Sequence, residues 1–130
     1  MTPNLRRYFP SIVTVGLLIA TRGVLTHTFE VDLRAARARL DAYDERLADT
    51  PCGRIAYVEA GSGEPVLGIH GNVGGYDHGL SLIDGFIGSD HRLIAPSRFG
   101  YPGTPMPEDP TVEAQADAHV CLLDALGVDR

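Results

Sequence analysis

Residues 65–75 read Pro-Val-Leu-Gly-Ile-His-Gly-Asn-Val-Gly-Gly, an apolar run that stops abruptly at His70-Gly71 and passes into a glycine-rich turn. A run this short, bounded by Gly63 and Pro65 before it and by Gly71 after it, predicts a buried strand of a parallel sheet. Gly71, Gly74 and Gly75 allow φ > 0 and a close approach of the backbone, so consecutive N–H groups can face one concavity instead of pairing in a ladder. Such a concavity stabilises negative charge on an oxygen.

The rest of the composition narrows the alternatives. A chain of 130 residues, 44% of them hydrophobic, suits one globular domain. A net charge of -6 and a pI near 5.2 argue against a nucleic-acid partner, whose phosphates need a basic face. Cys52 and Cys121 match no metal or redox spacing, and free structural thiols are the default expectation for them, ahead of a disulfide. Neither a metal nor an organic cofactor is implied by any motif.

The first 27 residues have the form of a targeting segment. Arg6 and Arg7 precede an apolar run from Tyr8 to Ala20, which is short for a span of about 20 residues; extending it to Leu25 places Arg22 inside. No small-x-small cleavage site follows Ala20, so an uncleaved membrane anchor is favoured over a cleaved signal peptide, and both over a cytoplasmic amphipathic N-terminus. From Asp32 onward Leu33, Ala36, Leu40, Tyr43 and Leu47 recur at alternating spacings of three and four, predicting an amphipathic linker helix within residues 28–50.

Residues 51–130 read as alternating strands and helices. Pro51-Cys52-Gly53 turns into a half-exposed strand over 54–59, with Ile55 and Tyr57 facing one way. The Gly61-Ser62-Gly63 turn then leads to the central strand, 66–70. Leu80, Leu82, Ile83, Phe86 and Ile87 suit a short helix ended by Gly88, and residues 92–95, closed by Pro96, form a second parallel strand, completing a βαβ unit. Asp109 and Pro110 predict the cap and first position of a last helix with Val112, Ala116, Val120 and Leu123 on its buried stripe, and Gly127 as its C-terminal cap.

The strand followed by His70-Gly71 and the glycine turn, with Ser97-Arg98-Phe99-Gly100-Tyr101 after the second strand, resembles the start of an α/β-hydrolase domain. Arg98 and Gly100 match the family's Asp-Arg-x-Gly-x-Gly-x-Ser loop, whereas Ser97, Pro102 and Thr104 stand where Asp, the second Gly and Ser are usual. A branch with Ser-Arg-Phe-Gly-Tyr here and Tyr-Asp-x-Gly after the glycine turn, as at residues 76–79, fits better. The resemblance implies an α/β fold, the N-terminal half of an α/β-hydrolase sheet with about four strands and flanking helices. It also implies oxyanion-hole donors at the backbone of Asn72 first, then Val73 and Gly74, with His70, Gly71 and Gly75 supporting the turn. His70 is not the family's catalytic base, which lies late in the chain.

Ser11, Ser62, Ser81, Ser89 and Ser97 all lack the flanking glycines of a Gly-x-Ser-x-Gly nucleophile elbow, and turn or surface roles are expected for them. His78 is read as a loop residue or as part of a pocket mouth, and His27, His91 and His119 as structural or surface groups. The expectation is therefore a membrane-anchored or exported fragment of a serine-type hydrolase that ends before the nucleophile elbow and is inactive alone, its substrate an unidentified small molecule. In the family's strand order, residues 66–70 would then lie on an open edge that favours self-association. The alternatives are a non-catalytic, membrane-anchored interaction protein built on half of the fold, or the inactive remnant of a broken gene.

Overall fold

The computed structural model describes residues 3–87 and 90–128, with side chains from residue 8 onward, and divides into two compact units, one up to Leu40 and one from Asp41. The first unit is a single helix, α1 (Pro3–Leu40), of 38 residues. Its Tyr8–Leu40 part is long and apolar enough, by length and composition, to cross a membrane. Within it the hydroxyls of Thr14, Thr26 and Thr28 donate to the carbonyls of Pro10, Arg22 and Leu25. The apolar run and the start of the expected linker are thus one continuous helix.

That helix ends at Leu40, which corrects the linker helix expected to run to Leu47. Residues Arg46–Thr50 are a strand, β1, antiparallel to β2 (Gly53–Ala60), with Leu47 opposite Ala56. The Thr50 hydroxyl donates to the Gly53 carbonyl and accepts the Cys52 N–H, closing the turn between them. Sheet pairing, a long-range interaction, overrides the helical spacing of Tyr43 and Leu47.

The second unit is a four-stranded mixed sheet. After β2 come β3 (Glu64–Leu67), helix α2 (Tyr76–Ile87), β4 (His91–Pro96) and helix α3 (Val112–Ala125), and the strand order is β1-β2-β4-β3. β4 is antiparallel to β2 and parallel to β3, so β3, α2 and β4 form the expected βαβ unit, with β3 at the sheet's edge. β3 is shorter than the predicted 66–70; a bond from the Gly68 N–H to the Ile94 carbonyl continues the pairing one residue further. α2 begins at Tyr76 rather than near Leu80, and its expected stop, Gly88, lies outside the described residues, as does Ser89.

β2 is not half-exposed. Ile55, Ala56, Tyr57 and Val58 are all buried, because both of its faces are covered. On one face Ile55, Tyr57 and Ile94 pack with Ala118 and Leu122 of α3. The opposite face, carrying Ala56, Val58, Leu93 and Ala95, is the one α2 approaches: a Cβ placed on Gly79 would stand 3.3 Å from that of Ala95.

α3 starts at Thr111, not at Asp109. The Thr111 hydroxyl accepts the Ala114 N–H, the bond that satisfies an otherwise unpaired donor at the helix start. The buried face is accordingly Ala118, His119 and Leu122, while Val112 is 82% exposed. The expected Gly127 cap is present: Gly127 has φ +66°, its N–H reaches the Asp124 carbonyl, and that of Val128 reaches Leu123.

The free thiols expected at Cys52 and Cys121 are instead a disulfide, formed because α3 packs on β1 and β2 and brings two cysteines 69 residues apart together. Closing a loop of that length stabilises a fold by about 4 kcal/mol, chiefly by restricting the unfolded chain. Replacing both cysteines by serine is therefore expected to lower the unfolding free energy of the sheet unit by about 4 kcal/mol, read from denaturant midpoints. Unchanged midpoints, or two thiols that react under non-reducing denaturation, would show that the link is absent.

Candidate functional site

β3 and β4 are parallel neighbours, so the segments leaving their C-terminal ends, residues 68–75 and 97–104, emerge side by side. His70 joins them. Its ring is 2% exposed; Nδ1 lies 2.9 Å from its neighbour's carbonyl, that of Gly71, and Nε2 accepts the Arg98 N–H at 3.0 Å. An N–H donor on one side and a carbonyl on the other leave one consistent state, a neutral imidazole with its proton on Nδ1. With both nitrogens occupied, the ring is a structural link rather than a free base.

Two more contacts hold the carbonyl side of the turn. Arg98 Nη1 donates to the Gly71 carbonyl at 3.3 Å, and the Tyr101 hydroxyl donates to the Asn72 carbonyl at 3.2 Å. The Tyr101 ring also meets the His70 ring edge to face at 4.4 Å, with the Arg98 guanidinium 5.9 Å from its centroid. On the far side of the turn, Asp77 in the first turn of α2 accepts the Gly75 N–H at 2.9 Å. The N–H groups of Asn72, Val73 and Gly74 have no hydrogen-bond acceptor among the described residues. Asn72 and Val73 are exposed, Val73 at 72%.

A buried hydroxyl network sits beneath. Ser97, expected at a turn or on the surface, is fully buried: its hydroxyl accepts the Tyr76 N–H and its carbonyl accepts the Thr104 hydroxyl, which in turn accepts the Ala56 N–H. A Cβ on Gly75 would come within 2.9 Å of the Ser97 Oγ, so the turn rests directly on this network. Tyr76, itself buried, donates to Glu45 at 2.6 Å and packs edge to face on Tyr43. Burial and the Glu45 carboxylate hold its phenol well above the ordinary tyrosine range.

The residues singled out from the sequence therefore occupy one turn, but their roles differ. Gly74 has φ +77° and faces the Cβ of His78, whereas Gly71 has no positive φ and open space where a Cβ would stand. His78 is exposed in α2; Ser11, Ser62 and Ser81 are exposed as well. His119 is buried, accepting the Gln115 side-chain amide, and Gln115 also accepts the Phe99 N–H. Arg98, Phe99, Tyr101, Met106, Val112 and Gln115 wall a cleft of about 310 Å³ beside the turn. Tyr101, Asp77 and Gln115 were not marked as site residues by sequence; the Ser-Arg-Phe-Gly-Tyr loop pointed toward Tyr101 and the Tyr-Asp-x-Gly stretch at residues 76–79 toward Asp77, while nothing pointed to Gln115.

No family model matches the sequence, and no curated protein does. Solved structures do. An α/β-hydrolase fold protein from Nakamurella multipartita is 36% identical over 65% of this chain and 29% of its own, with a TM-score of 0.61. A mutant of the N-acyl homoserine lactonase AidH, complexed with N-hexanoyl homoserine, is 33% identical over 67% of this chain and 34% of its own, with a TM-score of 0.57. An epoxide hydrolase from an endophytic Streptomyces is 28% identical over 65% and 27%, with a TM-score of 0.57. The chain thus spans about a third or less of the length of these structures, and its sheet unit has the architecture of part of an α/β-hydrolase fold.

Two expectations follow from the turn. Gly74→Val should destabilise the sheet unit by about 2 kcal/mol or more, because a β-branched residue is forced to φ +77° against His78, while Gly71→Ala should leave the unfolding midpoint nearly unchanged. Equal effects of the two, measured by denaturation, would contradict this geometry. The second concerns protons. Burial, opposed by the Gly71 bond and aided by Arg98 and His78, pushes the His70 pKa below 6.5. The unfolded chain then takes up the proton first as pH falls, so the ring's contribution is complete above the unfolded value and is lost as pH drops through the folded one. Proton NMR of the His70 ring should give a midpoint below 6.5, and a midpoint at or above it would refute the neutral, doubly bonded ring.

Proposed function

We propose that this chain carries the oxyanion-binding side of a serine-type α/β-hydrolase acting on an ester or related bond of a small molecule. The observation that carries the reading is the turn at the end of β3, where the carbonyls of Gly71 and Asn72 are held by the protein and the N–H groups of Asn72, Val73 and Gly74 are left open. Donors arranged in this way stabilise charge on a carbonyl oxygen during attack, and removing one typically costs on the order of 3 kcal/mol of barrier. His70, Gly71 and Gly75 hold the turn. Of the structures it resembles, the lactonase supports cleavage of an ester bond, while the epoxide hydrolase acts on a different bond, so no substrate is selected. No serine in the chain has the glycines of a nucleophile elbow, so on this reading the chain has no turnover by itself.

The chain is further proposed to be membrane-anchored or exported through α1, with Arg6 and Arg7 kept on the cytoplasmic side and the sheet unit on the other. The length of α1, its back-bonded threonines and a disulfide, which persists in oxidising compartments, support this placement. A second reading, a non-catalytic interaction protein, is favoured by one observation: β3 closes the sheet order with its outer side unpaired in the sheet, and Ile69 just beyond it is 44% exposed. Such an edge pairs readily with a strand of a second copy.

One preparation tests these readings. Membranes from cells making the full chain should retain it through an alkaline wash and hydrolyse p-nitrophenyl esters no faster than membranes without it. Ester turnover that tracks the chain would overturn the absence of a nucleophile, and recovery in the soluble fraction would overturn the anchor. Assembly into dimers through β3, seen by crosslinking, would move the balance to the interaction reading.

A further inference from the structure

We infer that Tyr101 is a positioning residue for the turn, and that it acts through the peptide plane between Asn72 and Val73. The inference rests on the oxyanion reading for its purpose but not for its geometry. Every peptide bond in the turn is trans, and in a planar trans peptide the carbonyl of one residue and the N–H of the next point in opposite directions. Holding a carbonyl therefore aims the following N–H. Two consecutive peptide planes are held in this way. The Gly71 carbonyl accepts from His70 Nδ1 and Arg98 Nη1, which turns the Asn72 N–H away from the 97–104 loop. Among the described residues the Asn72 carbonyl accepts from the Tyr101 hydroxyl alone, which turns the Val73 N–H away from the same loop.

The two holds differ in redundancy. The Gly71 carbonyl has two donors, one of them the buried His70 ring; the Asn72 carbonyl has one, across the gap between two loops. Tyr101 is itself firmly held. Its ring packs on His70 at 4.4 Å and beneath the Arg98 guanidinium, and its backbone N–H bonds to the Arg98 carbonyl while its carbonyl accepts the Thr104 N–H. Asn72 and Val73 are otherwise exposed, and nothing else among the described residues constrains their shared peptide. Tyr101 thus converts an exposed, glycine-flanked segment into a pair of N–H groups with a set direction, without burying them.

The test uses the full chain in detergent micelles. Carbonyl-labelled asparagine with amide-labelled valine identifies the Val73 amide, since Asn4 is followed by Leu5, and a uniformly amide-labelled sample then reports Val73, Asn72, Ala118 and Leu122 together. In the wild type the Val73 amide should be as ordered as the sheet, with an order parameter near 0.85; in Tyr101→Phe, which keeps the ring against His70 and removes only the hydroxyl, it should fall below about 0.6. Arg98→Lys should disturb the Asn72 amide little, because His70 still holds the Gly71 carbonyl. Unaltered Ala118 and Leu122 amides show that each variant is folded. A Val73 amide equally ordered with and without the hydroxyl overturns the positioning role. Titration with acetate separates the underlying reading: a shift of the Asn72 and Val73 amides in the wild type that is lost in Tyr101→Phe supports both. Loss of order in the variant with no acetate response in the wild type upholds Tyr101 and refutes the oxyanion reading.

Discussion

The neutral ring of His70 is the link on which the site depends. One nitrogen donates to the carbonyl of the following residue and the other accepts a backbone N–H from the neighbouring strand's exit, so a single side chain sets both the start of the glycine turn and its distance from the 97–104 loop. Burial makes the arrangement strict. In a medium of low polarity an unmet hydrogen-bonding group costs more than in water, and a charged imidazole would present a donor to the Arg98 N–H. Arg98 and Tyr101 can then reach the Gly71 and Asn72 carbonyls because His70 has already fixed where those carbonyls are.

The loop after β4 is held in place by two small hydroxyl side chains. Ser97 accepts the Tyr76 N–H, and so ties the start of α2 to the end of β4; the Thr104 hydroxyl accepts from Ala56 and donates to the Ser97 carbonyl, folding the loop back over β2. Neutral hydroxyls can both donate and accept, which lets two small side chains satisfy three buried backbone groups. A carboxylate at position 97 would bring a charge that the Tyr76 N–H alone does not balance. Elsewhere in the sheet, Glu59 of β2 pairs with Arg46 of β1 and Arg92 of β4 at 2.6 Å each, linking three strands.

Much of the fold and of the candidate turn was legible because it is local. The apolar run ending in His70-Gly71, the βαβ unit and the Gly127 cap rest on residues a few positions apart whose conformational demands hold in any context. Even there the cap of α3 was misplaced: Asp109 and Thr111 are both good caps, and packing of Ala118 and Leu122 on β2 chose the one that turns those residues inward. The stripe read over 33–47 failed for a similar reason. Its spacing is a valid helix as far as Leu40, but Leu47 gains more from pairing opposite Ala56, while Tyr43 and Glu45 are drawn to Tyr76.

Sequence by itself determined the order of elements from β2 onward, the place of the glycine turn, and an apolar N-terminal segment, since each follows from short-range periodicity and backbone freedom. Only the tertiary structure decided that Cys52 and Cys121 are joined, that Ser97 is buried, and that Gly74 rather than Gly71 requires a glycine's backbone. It also brought Arg98 and Tyr101, from a loop about 30 residues further along the chain, onto the Gly71 and Asn72 carbonyls beside the local hold of His70. Contacts at such separations leave no periodic trace in the sequence; they exist once strands have paired and brought the two loops to the same end of the sheet.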